Sequence, residues 1–150
     1  MKFKGIICFI GLTILFFPQG VSAETIYTAN EGGASISIIG WPGSKESTVV
    51  SIPAMPHNVD TAGRTKHILV TGMEGVLLVL DSKGELIKTI KAGEHPAHVI
   101  TDKEGIKAYV TLSGENVVVV IDLKTGKTEK RIPVGKFPHG LRMSADEKEI

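Results

Sequence analysis

The sequence is poor in the groups that most often carry chemistry. Its single cysteine, Cys8, lies near the start of the 150-residue chain. If the first 23 residues are removed, no thiol is left for a disulfide, a nucleophile or a thiolate metal site. Net charge is also missing. The remainder has 15 basic and 16 acidic residues. That balance leaves neither the basic footprint of a nucleic-acid binder nor a polybasic membrane patch. No amphipathic helix of useful length can be read. There is no Gly-x-Ser-x-Gly elbow. "GKT" at Gly126–Thr128 is not a phosphate loop, because Ile121 stands where the upstream glycine is needed.

The first 23 residues, "MKFKGIICFIGLTILFFPQGVSA", have the order of a secretory signal. Lys2 and Lys4 precede an apolar run from Ile6 to Phe17, Pro18 breaks it, and small residues lead to a predicted cleavage after Ala23. The run is too short for a bilayer, which takes roughly 20 helical residues. The chain is therefore expected to be exported, with no membrane span once the signal is removed. Without disulfides, residues 24–150 must rest on an apolar core and hydrogen-bonded ladders.

The chain repeats itself. Pro56, Pro96 and Pro138 are spaced by 40 and 42 residues. Tyr27, Leu69 and Tyr109 keep step at 42 and 40, Asp81 and Asp122 at 41, and Gly93 and Gly135 at 42. Within each period, short segments rich in Val, Ile, Leu and Thr are bounded by Gly, Asp and Pro, as strands are. The continuous runs "VLLVL" and "VVVVI" predict strands buried on both faces. Asp81, Asp122, Asp102, Asp146 and Glu147 fall at predicted turns, and Gly84 and Gly126 are placed to supply positive φ. Four short strands per roughly 40–45 residues is the arithmetic of a β-propeller blade.

The segments "IYTAN", "AYVTL" and "VVVVIDLKTGKTEKRIPVGKFPHGLRMSAD" carry a family resemblance. They resemble the Tyr-Val-Thr-Asn repeat of exported β-propellers, which include surface-layer domains, haem d1 cytochrome domains and lactonase-like proteins. The resemblance covers residues 24–150 and implies an all-β chain of four-stranded blades. It implies three outer strands in 25–53, complete blades in 57–92 and 97–134, and one inner strand in 138–144. Such rings have about seven blades. With about three, the chain reads as a partial propeller, a C-terminally truncated member of the family.

Histidine carries the site expectations. His57 and His139 each follow a repeat proline; Ala97 holds that place in the middle repeat, with His98 next. The resemblance puts these positions near the axis and implies that His57 and His139 are candidate cofactor-binding residues, for haem if for any cofactor. The bland alternative is a turn signature used once per blade. His95 and His98 in "HPAH" are candidate metal ligands that would need Asp60 or Asp102 to complete a set. Lys124, Lys127, Lys130 and Arg131 read as a solvated outer edge that resists pairing. Trp41 reads as a loop contact or a cap.

The expected function is a non-enzymatic binding module for a protein or small-molecule ligand, with no nucleic acid as partner. The alternative is a fragment of an active-site propeller, haem d1-type or lactonase-like. Exposed blade edges predict an oligomer, or marginal stability alone.

Overall fold

Period-two alternation lets a strand show one side-chain set to each of two neighbouring sheets, and the chain uses that freedom throughout. A computed structural model describes residues 24–43 and 47–150; the signal segment 1–23, with Cys8 and the Ala23 cleavage position, lies outside the described residues. Among the described residues, eleven strands form three antiparallel sheets. The first holds β1 (Glu24–Asn30), β2 (Ser35–Trp41) and β3 (Ser47–Ser51). The second holds β4 (Pro56–Ala62), β5 (His67–Gly72), β6 (Val76–Leu80) and β7 (Leu86–Lys91) in sequence order. The third holds β8 (Pro96–Thr101), β9 (Lys107–Leu112), β10 (Val117–Asp122) and β11 (Lys127–Pro133), also in order. This is the strand pattern of consecutive propeller blades, one of them with three strands.

Two apolar layers bind the three sheets. Leu78 and Leu80 of β6, with Ile68 and Val70 of β5, face Ile36, Ile52 and Ala54 of the first blade. The intervening Leu77 and Val79, with Leu69, face Val99, Val110, Leu112, Val119 and Ile121 of the third. The continuous run in β6 is therefore buried on both faces, as expected. In β10, Val119 and Ile121 are fully buried against the second blade and Val120 is buried on the opposite face, while Val117 and Val118 at the start of the run are half-buried. Fully burying a leucine contributes roughly 1.5–3 kcal/mol, so β6 is the best-anchored strand of the stack.

The turns follow their residues. Asp81 Oδ1 accepts the amides of Lys83 and Glu85 at 2.8 and 2.9 Å, and Asp122 Oδ1 accepts Thr125 N at 2.6 Å. Asp102 and Asp146 accept following amides in the same way. Gly84 and Gly126 have φ of 90° and 73°, a region costly for side-chain-bearing residues. The strand β11, which carries Lys127, Lys130 and Arg131, is exposed along its whole length, as a solvated outer edge should be.

Residues 138–144 differ from expectation: they form no ladder. A strand needs a neighbour's backbone groups, and among the described residues the Pro138 and His139 carbonyls are met by side-chain hydroxyls instead. Thr111 Oγ1 donates to His139 O at 2.6 Å and Ser113 Oγ to Pro138 O at 2.7 Å.

Candidate functional site

Each four-stranded blade begins with a proline and then a break in register. The pairing of β4 with β5 shifts between Pro56 and Asn58, across His57. The pairing of β8 with β9 shifts between Pro96 and Val99, across Ala97 and His98. Such bulges re-aim side chains and leave backbone groups unpaired. A threonine of the second strand fills both gaps. Thr71 Oγ1 accepts Asn58 N at 3.0 Å, and Thr111 Oγ1 accepts His98 N at 2.9 Å. The same hydroxyls donate onward to the next repeat: Thr71 to Ala97 O at 2.8 Å, Thr111 to His139 O at 2.6 Å. Asn58 adds a second tie, its Oδ1 accepting Val99 N at 3.1 Å. The threonine of each repeat thus staples its own inner strand to the following inner segment. Residues 138–144 therefore occupy the place of a next inner strand, although no ladder forms there.

This stapling gathers three histidines from three successive repeats. His57 Nε2 and His139 Nε2 lie 3.1 Å apart, with rings in an edge-on arrangement and centroids separated by 5.2 Å. The His98 ring centroid is 5.0 Å from that of His139. Ala97, which takes the histidine place in the middle repeat, lines the cavity beside the pair. That cavity, of about 330 Å³, is bounded by His57, Met73, His95, Pro96, Ala97 and Phe137 among others. Its walls are mainly apolar with a few convergent ring nitrogens, the usual make-up of a small-ligand pocket.

The electrostatics are uneven. The 3.1 Å contact between ring nitrogens is a hydrogen bond when one ring donates and the other accepts, an arrangement that pairs complementary tautomers of the two imidazoles. His57 Nδ1 is shut off from solvent and has no hydrogen-bond partner among the described residues; the Glu31 carboxylate is 4.0 Å away, held in a short 3-10 turn. Burial holds His98 below the ordinary imidazole range; the neighbouring His139 and His57 add to this, and Asp60 opposes it. Burial pushes the Asp60 carboxyl up, against the Thr61 amide and His98.

The sequence candidates are distributed as follows. His57 and His139 meet. His98 joins His139 through ring contact, whereas His95 precedes β8 at a positive φ of 49° and lines the cavity wall. Among the described residues, no group of three or more His, Cys, Asp or Glu side chains stands ready to hold a metal, the His95–His98 pair included. The Nε2 atoms of His57 and His139 stand 3.1 Å apart, closer than the roughly 4 Å between two nitrogens on opposite sides of one metal at roughly 2 Å each. Trp41 ends β2 and is 55% exposed, so it caps no core. The threonine staples escaped the sequence reading, although Thr71 and Thr111 stand 40 residues apart in "VTG" and "VTL".

Neither a family model nor a curated protein sequence matches the chain. Solved structures do. Kuenenia stuttgartiensis hydrazine synthase superposes with a TM-score of 0.74 at 24% identity, over 83% of this chain and 37% of that one. Virginiamycin B lyase from Staphylococcus aureus gives 0.68 at 13% identity, over 82% and 43%. A nidogen/laminin complex gives 0.61 at 16% identity, over 73% and 42%. The chain spans less than half the length of each. At these identities the likeness is one of fold, and the fold is a set of β-propeller blades.

Proposed function

We propose that the chain is part of an exported, Tyr-Val-Thr-Asn-type propeller that acts as a binding module, taking its ligand at the mouth where His57, His98 and His139 gather. The observation that carries this is the convergence itself. Three repeats spend their inner-strand starts on one mouth beside an apolar cavity of about 330 Å³. Export is supported by the Lys2/Lys4 start, the apolar run and the small residues before Ala23. Exposed side chains on the two terminal blades, Ile26 and Val49 on the first and Ile132 on the third, support further blade-like packing on those sheets. A protein partner or a second copy is the occupant proposed there. Among solved structures of this fold, the nidogen/laminin complex is named as a protein assembly.

One observation favours the alternative of an active-site propeller. The proton shared between His57 and His139 is the kind of group that acid–base catalysis uses, and hydrazine synthase and virginiamycin B lyase have the same fold. Lactone hydrolysis and haem titration by the purified chain separate the two readings. The binding-module reading expects no turnover and no Soret shift. Turnover, or a Soret shift lost in His57→Ala and His139→Ala, would replace it with the enzymatic one.

A further inference from the structure

We infer that the mouth binds one late divalent transition-metal ion such as zinc, held by Nε2 of His57 and Nε2 of His139, with His98 as third ligand. The inference rests on the reading of this mouth as a binding site and names the ligand class. Two imidazole nitrogens bound to one metal at about 2.0–2.1 Å stand roughly 3.3 Å apart at the tetrahedral angle. His57 and His139 already hold theirs at 3.1 Å. The two nitrogens need separate by only about 0.2 Å, while the rings turn so that both lone pairs meet the ion.

A second observation is independent of that distance. Among the described residues His57 Nδ1 is buried and unpaired, and neither tautomer of the His57–His139 pair changes this. If Nε2 donates to His139, Nδ1 is a bare lone pair. If Nε2 accepts, Nδ1–H has no acceptor within hydrogen-bond reach. A metal on Nε2 fixes the proton on Nδ1 and points it at the Glu31 carboxylate, 4.0 Å away. A carboxylate behind a ligating histidine is the usual support of a histidine–metal bond. Glu31 is the positioning residue of the proposed site.

The third ligand explains why the described residues are not yet gathered around one point. His98 lies beside His139, with rings tilted by 59° and centroids 5.0 Å apart, on a bulged stretch of β8. Rotation about its own side-chain torsions brings a ring nitrogen toward the pair. Solvent from the adjoining cavity supplies the fourth position, as in three-ligand zinc sites. Imidazole donors in an apolar surround favour zinc, copper or nickel over magnesium or calcium.

The test is a zinc titration of the purified chain against a chromogenic competitor, with histidine ring nitrogens followed by NMR. The expected result is one zinc per chain, with the Nε2 signals of His57 and His139 shifting together. His57→Ala and His139→Ala abolish the transition; Glu31→Gln weakens it by about 10–100-fold; His67→Ala, far along β5, leaves it intact. Folding of each variant is checked by circular dichroism, and the ring-nitrogen shifts in the unsubstituted chain decide the matter if a variant fails to fold. The inference is overturned if the unsubstituted chain takes up no zinc. It is equally overturned if zinc leaves both Nε2 signals in place, or if His95→Ala removes the transition while His57→Ala does not. Absence of zinc binding without lactone turnover overturns the metal alone. Lactone turnover by the metal-free chain overturns the binding-module reading, whatever the zinc result.

Discussion

Replacing Thr71 by valine removes one hydroxyl and almost nothing else. The β-branched shape and the volume stay, so the second blade keeps its packing. The hydroxyl is fully buried; it accepts Asn58 N at 3.0 Å and donates to Ala97 O at 2.8 Å. Valine leaves that amide and that carbonyl without partners. Each unsatisfied buried group costs about 1–3 kcal/mol. With some relaxation at the bulge, the expected loss is about 2–4 kcal/mol. For a slope of about 2 kcal/mol per molar urea, the midpoint falls by about 1–2 M at unchanged slope. Thr71→Ser keeps both bonds, gives up one methyl group, and should cost about 1 kcal/mol. Urea unfolding followed by far-ultraviolet circular dichroism reads both. A Thr71→Val protein within about 0.5 kcal/mol of the parent, or a serine variant less stable than the valine one, would refute the staple argument.

Other consequences follow from the same geometry. Thr111→Val with Ser113→Ala removes the two hydroxyls that hold the 138–139 carbonyls. Amide exchange in residues 137–141 should rise while β5 and β6 stay protected, as hydrogen-exchange mass spectrometry will show. Leu78→Ala, at a fully buried position between the first two blades, should cost about 2–5 kcal/mol. Val118→Ala, half-buried on the outer face of the third blade, should cost well under half of that in the same denaturation assay. His98 is held below its ordinary range, so the unfolded chain binds the extra proton. The stability contributed by neutral His98 is complete above about pH 6.5 and is lost as pH falls through the folded value. His98→Asn should flatten the stability–pH curve below about 6.5, measured by urea midpoints at stepped pH.

The repeat made much of this legible. Prolines and aspartates at fixed spacing read as repeated antiparallel sheets of short strands, and the Asx turns at Asp81 and Asp122 formed as their chemistry dictates. Two things were harder to see. His98 is close to His95 in sequence, which suggests a pair, but the bulge after Pro96 sets it beside His139. Register breaks depend on which hydroxyl fills the gap, and that partner lies 13 residues away in another strand. The Thr71 and Thr111 staples were hidden for the same reason: a threonine in a strand reads as β-propensity until its two bonding partners are in place. Residues 138–144 match an inner strand in sequence, yet a ladder requires a neighbouring strand, which the described residues do not provide.

The gathering of histidines from three repeats is the feature on which the functional account turns, and long-range proton–nitrogen NMR of histidine-labelled protein tests it most directly. The expected result is complementary tautomers for His57 and His139, with a proton shared between their Nε2 atoms. In His139→Ala the ring signals of His57 and His98 should shift while those of His67 stay in place. Unchanged His57 and His98 signals in that variant would show that the three repeats do not share a mouth.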